Sequence, residues 1–192
     1  VIGDPELNGF FNQLPGARKE GETVAKLLSD NGFKTKDLVG HSAVNIIPAL
    51  MSYDYKIVHF AAHGVFKPDD PRSSGVVIGK NSYLSSAQIA QISSTQELVF
   101  VNCCYLGKSS GVAEELYQSR YKLAANIGTQ FINNGVKAVI VAGWAVDDTA
   151  ALAFAKRFYE GMFQGKTFGD AVRIAREEIY ENYGKKNTWG AY

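Results

Sequence analysis

Few residues in this chain can act as nucleophiles or proton carriers near neutral pH. It has two cysteines and three histidines among 192 residues. The cysteines are neighbours, Cys103 and Cys104, and two histidines, His59 and His63, lie in or just after one apolar run. A thiol with an ordinary pKa of about 8.5 is only a few per cent thiolate at neutral pH. An imidazole beside it raises that fraction, or protonates the departing amine during acyl transfer. Gly64 follows His63; a glycine lets backbone approach a substrate closely, and its N–H is a candidate oxyanion donor. A further signal is Trp144-Ala145-Val146-Asp147-Asp148, two carboxylates after an aromatic ring. Each feature has a plainer reading. His59 is mid-run and suits packing, acids before a helix suit capping, and Trp144 suits a core.

The elements that must position these residues are three nearly continuous apolar runs of strand length. They are KIVHFAA (56–62), ELVFVNC (97–103) and VKAVIVA (136–142). Such runs mark strands covered on both faces, as in parallel sheets. Helical spacing is predicted over Gly16–Asp30, stopped by Asn31-Gly32, with a further strand over Phe33–Val39. Ser42 can cap a short helix carrying Ile46, Ile47 and Leu50, and Ser85 or Ser86 can start another through Ile92. Gly75–Leu84 reads as a hairpin around Gly79-Lys80-Asn81. Leu123–Asn134 is amphipathic, and the least patterned stretch, Tyr105–Lys122, reads as an exposed loop. One late helix carries Leu152, Ala155, Tyr159, Met162 and Phe163. Another starts at Thr167 with Asp170 three residues on and carries Val172, Ala175 and Ile179.

Strand and helix alternate at a spacing that implies βαβ units: an α/β fold, a mostly parallel sheet, helices on both faces. In open sheets of this kind sites lie beyond the carboxyl ends of the strands. His63-Gly64, Cys104 and the Trp144–Asp148 run stand at those ends. A His and a Cys remote along the chain are thereby predicted to meet at one sheet edge.

Composition narrows the rest. Lys and Arg number 20 against 19 Asp and Glu, a net charge of +1, which disfavours nucleic acid as a partner. No apolar run reaches the roughly 18 residues of a membrane span. Adjacent cysteines do not form an unstrained disulfide, which suits a reducing, cytoplasmic setting. The chain reads as one domain over 1–192, and its start at Val1 reads as an excision from a longer protein.

Two stretches, I-V-H-F-A-A-H-G-V-F (57–66) and L-V-F-V-N-C-C-Y-L-G (98–107), resemble the His and Cys motifs of CHAT-domain cysteine peptidases. These belong to the caspase-like clan with separase and the gingipains. Q-L-P-G-A-R-K-E (13–20), V-K-A-V-I-V-A-G-W-A-V-D-D (136–148) and N-T-W-G-A-Y (187–192) agree in family order. The resemblance implies a caspase-like three-layer fold and proteolysis with His63 as acid/base and Cys104 as nucleophile, without metal or cofactor. Gly64 is expected to help hold the oxyanion. Tyr105 and Leu106 stand where an acidic residue and a Thr are frequent, a departure in the pocket wall. Asp148, with Asp147 and Trp144 beside it, is expected to line a pocket for a basic P1 side chain. Arg18 and Lys19 read as a solvated helix face. The implied setting is cleavage of a partner protein at one site, gated by a helical-repeat or sensor module, in bacterial defence or signalling. A gasdermin-like pore former is one such target, with no nucleic acid and no membrane bound directly. If P1 is basic, Lys108, Arg120 and Lys122 make Tyr105–Lys122 a candidate for self-cleavage.

Three rival readings remain at this level. Cys103 competes as nucleophile, although strand alternation gives it the opposite face and a packing role. A zinc site from His59, His63, Cys103 and Cys104 suffers from the same alternation. A catalytically silent caspase-like scaffold is the third. Thiol-probe labelling is expected in wild type and Cys103→Ala and lost in Cys104→Ala; labelling that survives Cys104→Ala reverses the choice of nucleophile.

Overall fold

A computed structural model describes residues 1–67, 69, 74–92, 96–105 and 113–192, without the side chains of Cys104, Tyr105 and 113–121. Among these residues six strands form one sheet: β1 (Ile2–Gly3), β2 (Ile57–Val65), β3 (Gly75–Gly79), β4 (Ser82–Leu84), β5 (Leu98–Tyr105) and β6 (Ala138–Val141). The order is β4-β3-β2-β5-β6, with β1 beside the first half of β2. The β1–β2, β2–β5 and β5–β6 pairs are parallel, whereas the β2–β3 and β3–β4 pairs are antiparallel. The sheet is therefore mixed rather than parallel throughout, because the excursion after β2 returns as a hairpin through Lys80-Asn81.

Helices cover both faces, giving three layers. On one face α2 (Ala43–Ser52), α3 (Ser86–Ile89) and α4 (Ala113–Asn133) pack through Ile46, Leu50, Ile89, Ile127 and Phe131. They meet Val58, Phe60 and Ala62 of β2 and Val99, Val101 and Cys103 of β5. On the other, α1 (Pro15–Asp30), α5 (Asp148–Phe163) and α6 (Phe168–Tyr183) bring Val24, Leu28, Phe154, Phe158 and Ile179 onto Leu98 and Phe100. Alternation along the two central strands thus feeds two separate cores. No described helix is long and apolar enough to cross a membrane.

Two expectations need correction. Phe33–Val39 is not a strand. It follows β1 through three hydrogen bonds: the Val1 ammonium to Lys36 O at 2.9 Å, Leu38 N–H to Val1 O at 2.9 Å and Gly40 N–H to Gly3 O at 2.8 Å. With β1 itself two residues long there is no ladder to extend. Helix α4 starts at Ala113, inside the stretch read as loop. Its first turns, AEELYQSR, are good helix formers with sparse apolar spacing, so propensity carries what periodicity misses. Residues 106–112 of that expected loop lie outside the described residues.

Helix α1 is drawn tightly onto the sheet. A Cβ at Gly21 would stand 2.7 Å from Val39 Cγ2 and 3.0 Å from Gly3 Cα, so only glycine permits this crossing. The approach buries Glu20, 2% exposed, beneath the helix. Its Oε1 accepts from His59 Nε2 at 3.0 Å and its Oε2 from Asn102 Nδ2 at 2.7 Å. The carboxylate can only accept, which assigns the proton to His59 Nε2 and leaves Nδ1 to accept from the Tyr159 hydroxyl at 3.2 Å. Burial, then the Glu20 charge, pushes the Tyr159 phenol above its ordinary range. His59 is fully buried, as its mid-strand position predicted. Removing one partner strands the others in an apolar layer. Glu20→Ala is expected to lower unfolding free energy by about 3–5 kcal/mol. Lys26→Ala, in an exposed pair with Asp30, is expected to cost less than about 0.5 kcal/mol. Urea denaturation compares the two.

Candidate active site

The carboxyl ends of β2 and β5 lie side by side in parallel register. His63 pairs with Cys104 and Gly64 with Tyr105, and neighbouring strands are about 4.8 Å apart. The two residues singled out by type thus occupy adjacent backbone positions. Gly64 also pairs with Val76 on β3, so it lies inside the sheet between both neighbours. Cys103 is 8% exposed and belongs to the core under α2 and α4, which fits packing.

His63 is 2% exposed. Its Nε2 lies 2.7 Å from the Asn12 carbonyl oxygen. A carbonyl only accepts, so Nε2 carries the proton, and in the neutral ring Nδ1 keeps the lone pair. Nδ1 is buried and has no hydrogen-bond partner among the described residues. Phe11 packs against the imidazole with ring centroids 5.5 Å apart. Burial pulls the His63 pKa below its ordinary value. The Asn12 hydrogen bond and the charges of Asp4 and Asp148 oppose the shift without cancelling it. A neutral imidazole with a free Nδ1 is a proton acceptor at neutral pH.

The third strand end behaves differently. Asp147 is the N-cap of α5: its Oδ1 accepts from Thr149 N–H and Ala150 N–H, each at 3.1 Å. Its Oδ2 takes Lys186 Nζ at 2.6 Å. These partners, the Lys186 bond first, hold its carboxyl below the usual range. Trp144 Nε1 donates to Asn187 O at 3.3 Å, Asp147 N–H to Thr188 Oγ1 at 3.0 Å, and Gly143 N–H to Ala191 O at 2.9 Å. The closing NTWGAY stretch therefore braces this loop, and Trp144 serves that brace. Asp148 is exposed, and its carboxylate rests against Gly16 so closely that a Cβ there would overlap it. The first turn of α1, where negative charge is favourable, and the surroundings of His63 thus share one carboxylate.

A family model described as CHAT domain matches residues 1–192, the whole chain. The chain belongs to the CHAT family. CHAT domains are caspase-like and related to cysteine peptidases, and the α/β architecture agrees with that fold. No curated protein and no solved structure matches the chain.

Sequence reasoning missed several residues of this CHAT domain's site. Asn12 acts through its backbone, which no side-chain pattern reveals. Asp4 and Asn102 lack a motif of their own, and Glu20 stood unremarked in Q-L-P-G-A-R-K-E. Arg18, read as solvated, keeps a 45% exposed side chain yet bonds Asp4 Oδ2 through Nε at 3.0 Å. Histidine NMR is expected to show His63 titrating below about 6.5, with the Nε2–H tautomer above that pKa. The protonated form then dominates only at lower pH, so base function persists into mildly acidic solution. A pKa above the ordinary value contradicts a site governed by burial.

Proposed function

We propose that this CHAT domain is a cysteine endopeptidase using His63 and Cys104. Nδ1 of His63 takes the thiol proton, and the sulfur attacks the scissile carbonyl. The Gly64 N–H helps hold the resulting oxyanion. The imidazolium then gives its proton to the departing amine, leaving a thioester. Water, deprotonated by the same Nδ1, attacks the thioester and releases the acid and the free thiol. The observation that carries the reading is the pairing of His63 with Cys104 at the ends of β2 and β5. Nδ1, without a hydrogen-bond partner among the described residues, supports it further.

Asp148 is the proposed recognition group for a P1 Arg or Lys. It is exposed, whereas Asp147 is consumed by its cap and by Lys186. The proposed substrate is a partner protein cut at one site in the cytoplasm, with a helical-repeat or sensor module as gate. Bacterial defence, with a gasdermin-like target, is the setting the family resemblance suggests. Near-complete burial of His63 supports gating, since a peptide reaches the imidazole only after its cover moves. The same burial favours the second reading, a silent scaffold, and turnover decides between them.

Peptide libraries incubated with the protein, with and without its native flanking modules, are expected to show cleavage after Arg or Lys. His63→Ala is expected to reduce kcat by about 10²–10⁴-fold. Asp148→Asn is expected to raise KM for basic P1 peptides by about tenfold or more. Gly16→Ala, by displacing the Asp148 side chain, is expected to raise it in the same direction. A preference for acidic or apolar P1 residues counts against the role of Asp148.

A further inference from the structure

One nitrogen of His63 is held by a single carbonyl, so whatever fixes that carbonyl fixes the imidazole. Asn12 is exposed and lies in a segment, 4–14, that contains neither helix nor strand. No backbone ladder sets its geometry, and side chains must do so.

Asp4 is 2% exposed and adopts φ 45°, the left-handed region that aspartate tolerates better than most residues. Its N–H donates to Ala61 O at 2.9 Å, two residues before His63 on β2. Its Oδ1 accepts from Leu14 N–H at 2.7 Å and from Gln13 Nε2 at 2.9 Å. Its Oδ2 accepts from Arg18 Nε at 3.0 Å. Gln13 adds a second tie, its Oε1 accepting Leu7 N–H at 3.3 Å. A carboxylate this buried is costly unless donors meet both oxygens, and charge-assisted bonds do so here. The donors follow directly after the Asn12 carbonyl and extend into the first turn of α1. One residue thereby ties the segment to β2 through its backbone N–H and to the start of α1 through its carboxylate.

We propose that Asp4 is a positioning residue for His63: through Gln13, Leu14 and Arg18 it orients the Asn12 carbonyl, which keeps the proton on Nε2 and leaves Nδ1 as the base. The proposal deepens the peptidase reading and rests on it, since orientation of Nδ1 matters only if that atom moves a proton. Among the described residues the charges that bear on His63 are Asp4 in segment 4–14 and Asp148 at the start of α5; Arg18 on α1 pairs with Asp4, and Cys104 on β5 is the backbone partner of His63. Both carboxylates favour the imidazolium, so Asp4 also adds charge stabilisation when the ring carries a proton.

The test uses the whole chain and reads His63 directly as well as turnover. In ¹⁵N-labelled wild type the ring is expected in the Nε2–H form above its pKa. Asp4→Asn keeps the shape but removes the charge and presents an N–H₂ group to donors. It is expected to weaken the Nε2–H preference, lower the His63 pKa and move the acid limb of kcat/KM to lower pH. On a peptide with a basic P1 residue, kcat is expected to fall on the order of 10- to 100-fold, with KM within about twofold. A folded Asp4→Asn protein with wild-type His63 shifts and wild-type kcat overturns the proposal. Should that variant fail to fold, Gln13→Met is expected to shift the same His63 signals less strongly, and unchanged signals there overturn it too. Wild type that cleaves no peptide even with its native flanking modules, while Asp4→Asn still moves the His63 signals, leaves Asp4 orienting the ring and defeats the peptidase reading alone.

Discussion

The parallel pairing of β2 with β5 is the constraint on which the site depends. Its register runs unbroken from Ile57 opposite Leu98 to Gly64 opposite Tyr105. Apolar packing sets that register rather than any attraction between imidazole and sulfur. Phe60 and Val101 fill one core, and Phe100 fills the other against Phe154 and Phe158. A slip by one residue would turn each strand's large side chains to the wrong layer. It would also bring His63 opposite Cys103 or Tyr105. Chemistry at the rim therefore inherits its geometry from burial far below it.

Helix α1 adds a second constraint, because it touches both strands and the segment that holds His63. Glu20 bridges His59 on β2 and Asn102 on β5. Segment 4–14 runs directly into its first turn. A buried polar bridge of this kind is a poor source of net stability, since desolvation cancels much of the attraction. Its contribution is specificity: a carboxylate that must meet two donors on two strands admits few other arrangements. His63 stands four positions beyond His59 and Cys104 two beyond Asn102, so the bridge lies just beneath the paired ends.

Much of this was legible in the sequence because it depends on local periodicity. KIVHFAA, ELVFVNC and VKAVIVA are strands, and the strand-end rule located His63, Cys104 and the acidic pair without coordinates. The Phe33–Val39 strand was misread because β-branched content says nothing about whether a neighbour is long enough to pair with. The early start of α4 was missed because a polar helix carries little periodic signal. Asn12 and Asp4 were invisible for a different reason. Their roles are carried by a backbone carbonyl and by a left-handed residue in an irregular segment, and neither follows from spacing. Arg18 was misjudged since exposure and pairing coexist in one long side chain.

The two acids at 147 and 148 show how adjacency in sequence conceals opposite environments. Both precede a helix, so both suit an N-terminal cap. One position alone has the β-region backbone of an N-cap, φ −74° and ψ 131° at Asp147, and capping consumes the side chain that occupies it. Lys186 and Thr188 then engage the same residue from the chain's closing stretch, which fixes the loop and leaves its neighbour unburdened. Asp148, already inside the helix, points its carboxylate at the start of α1 and into the field felt by His63. A carboxylate that is exposed, uncommitted to a cap and electrostatically coupled to the imidazole is what the proposed P1 role requires. Its neighbour meets those of a structural anchor.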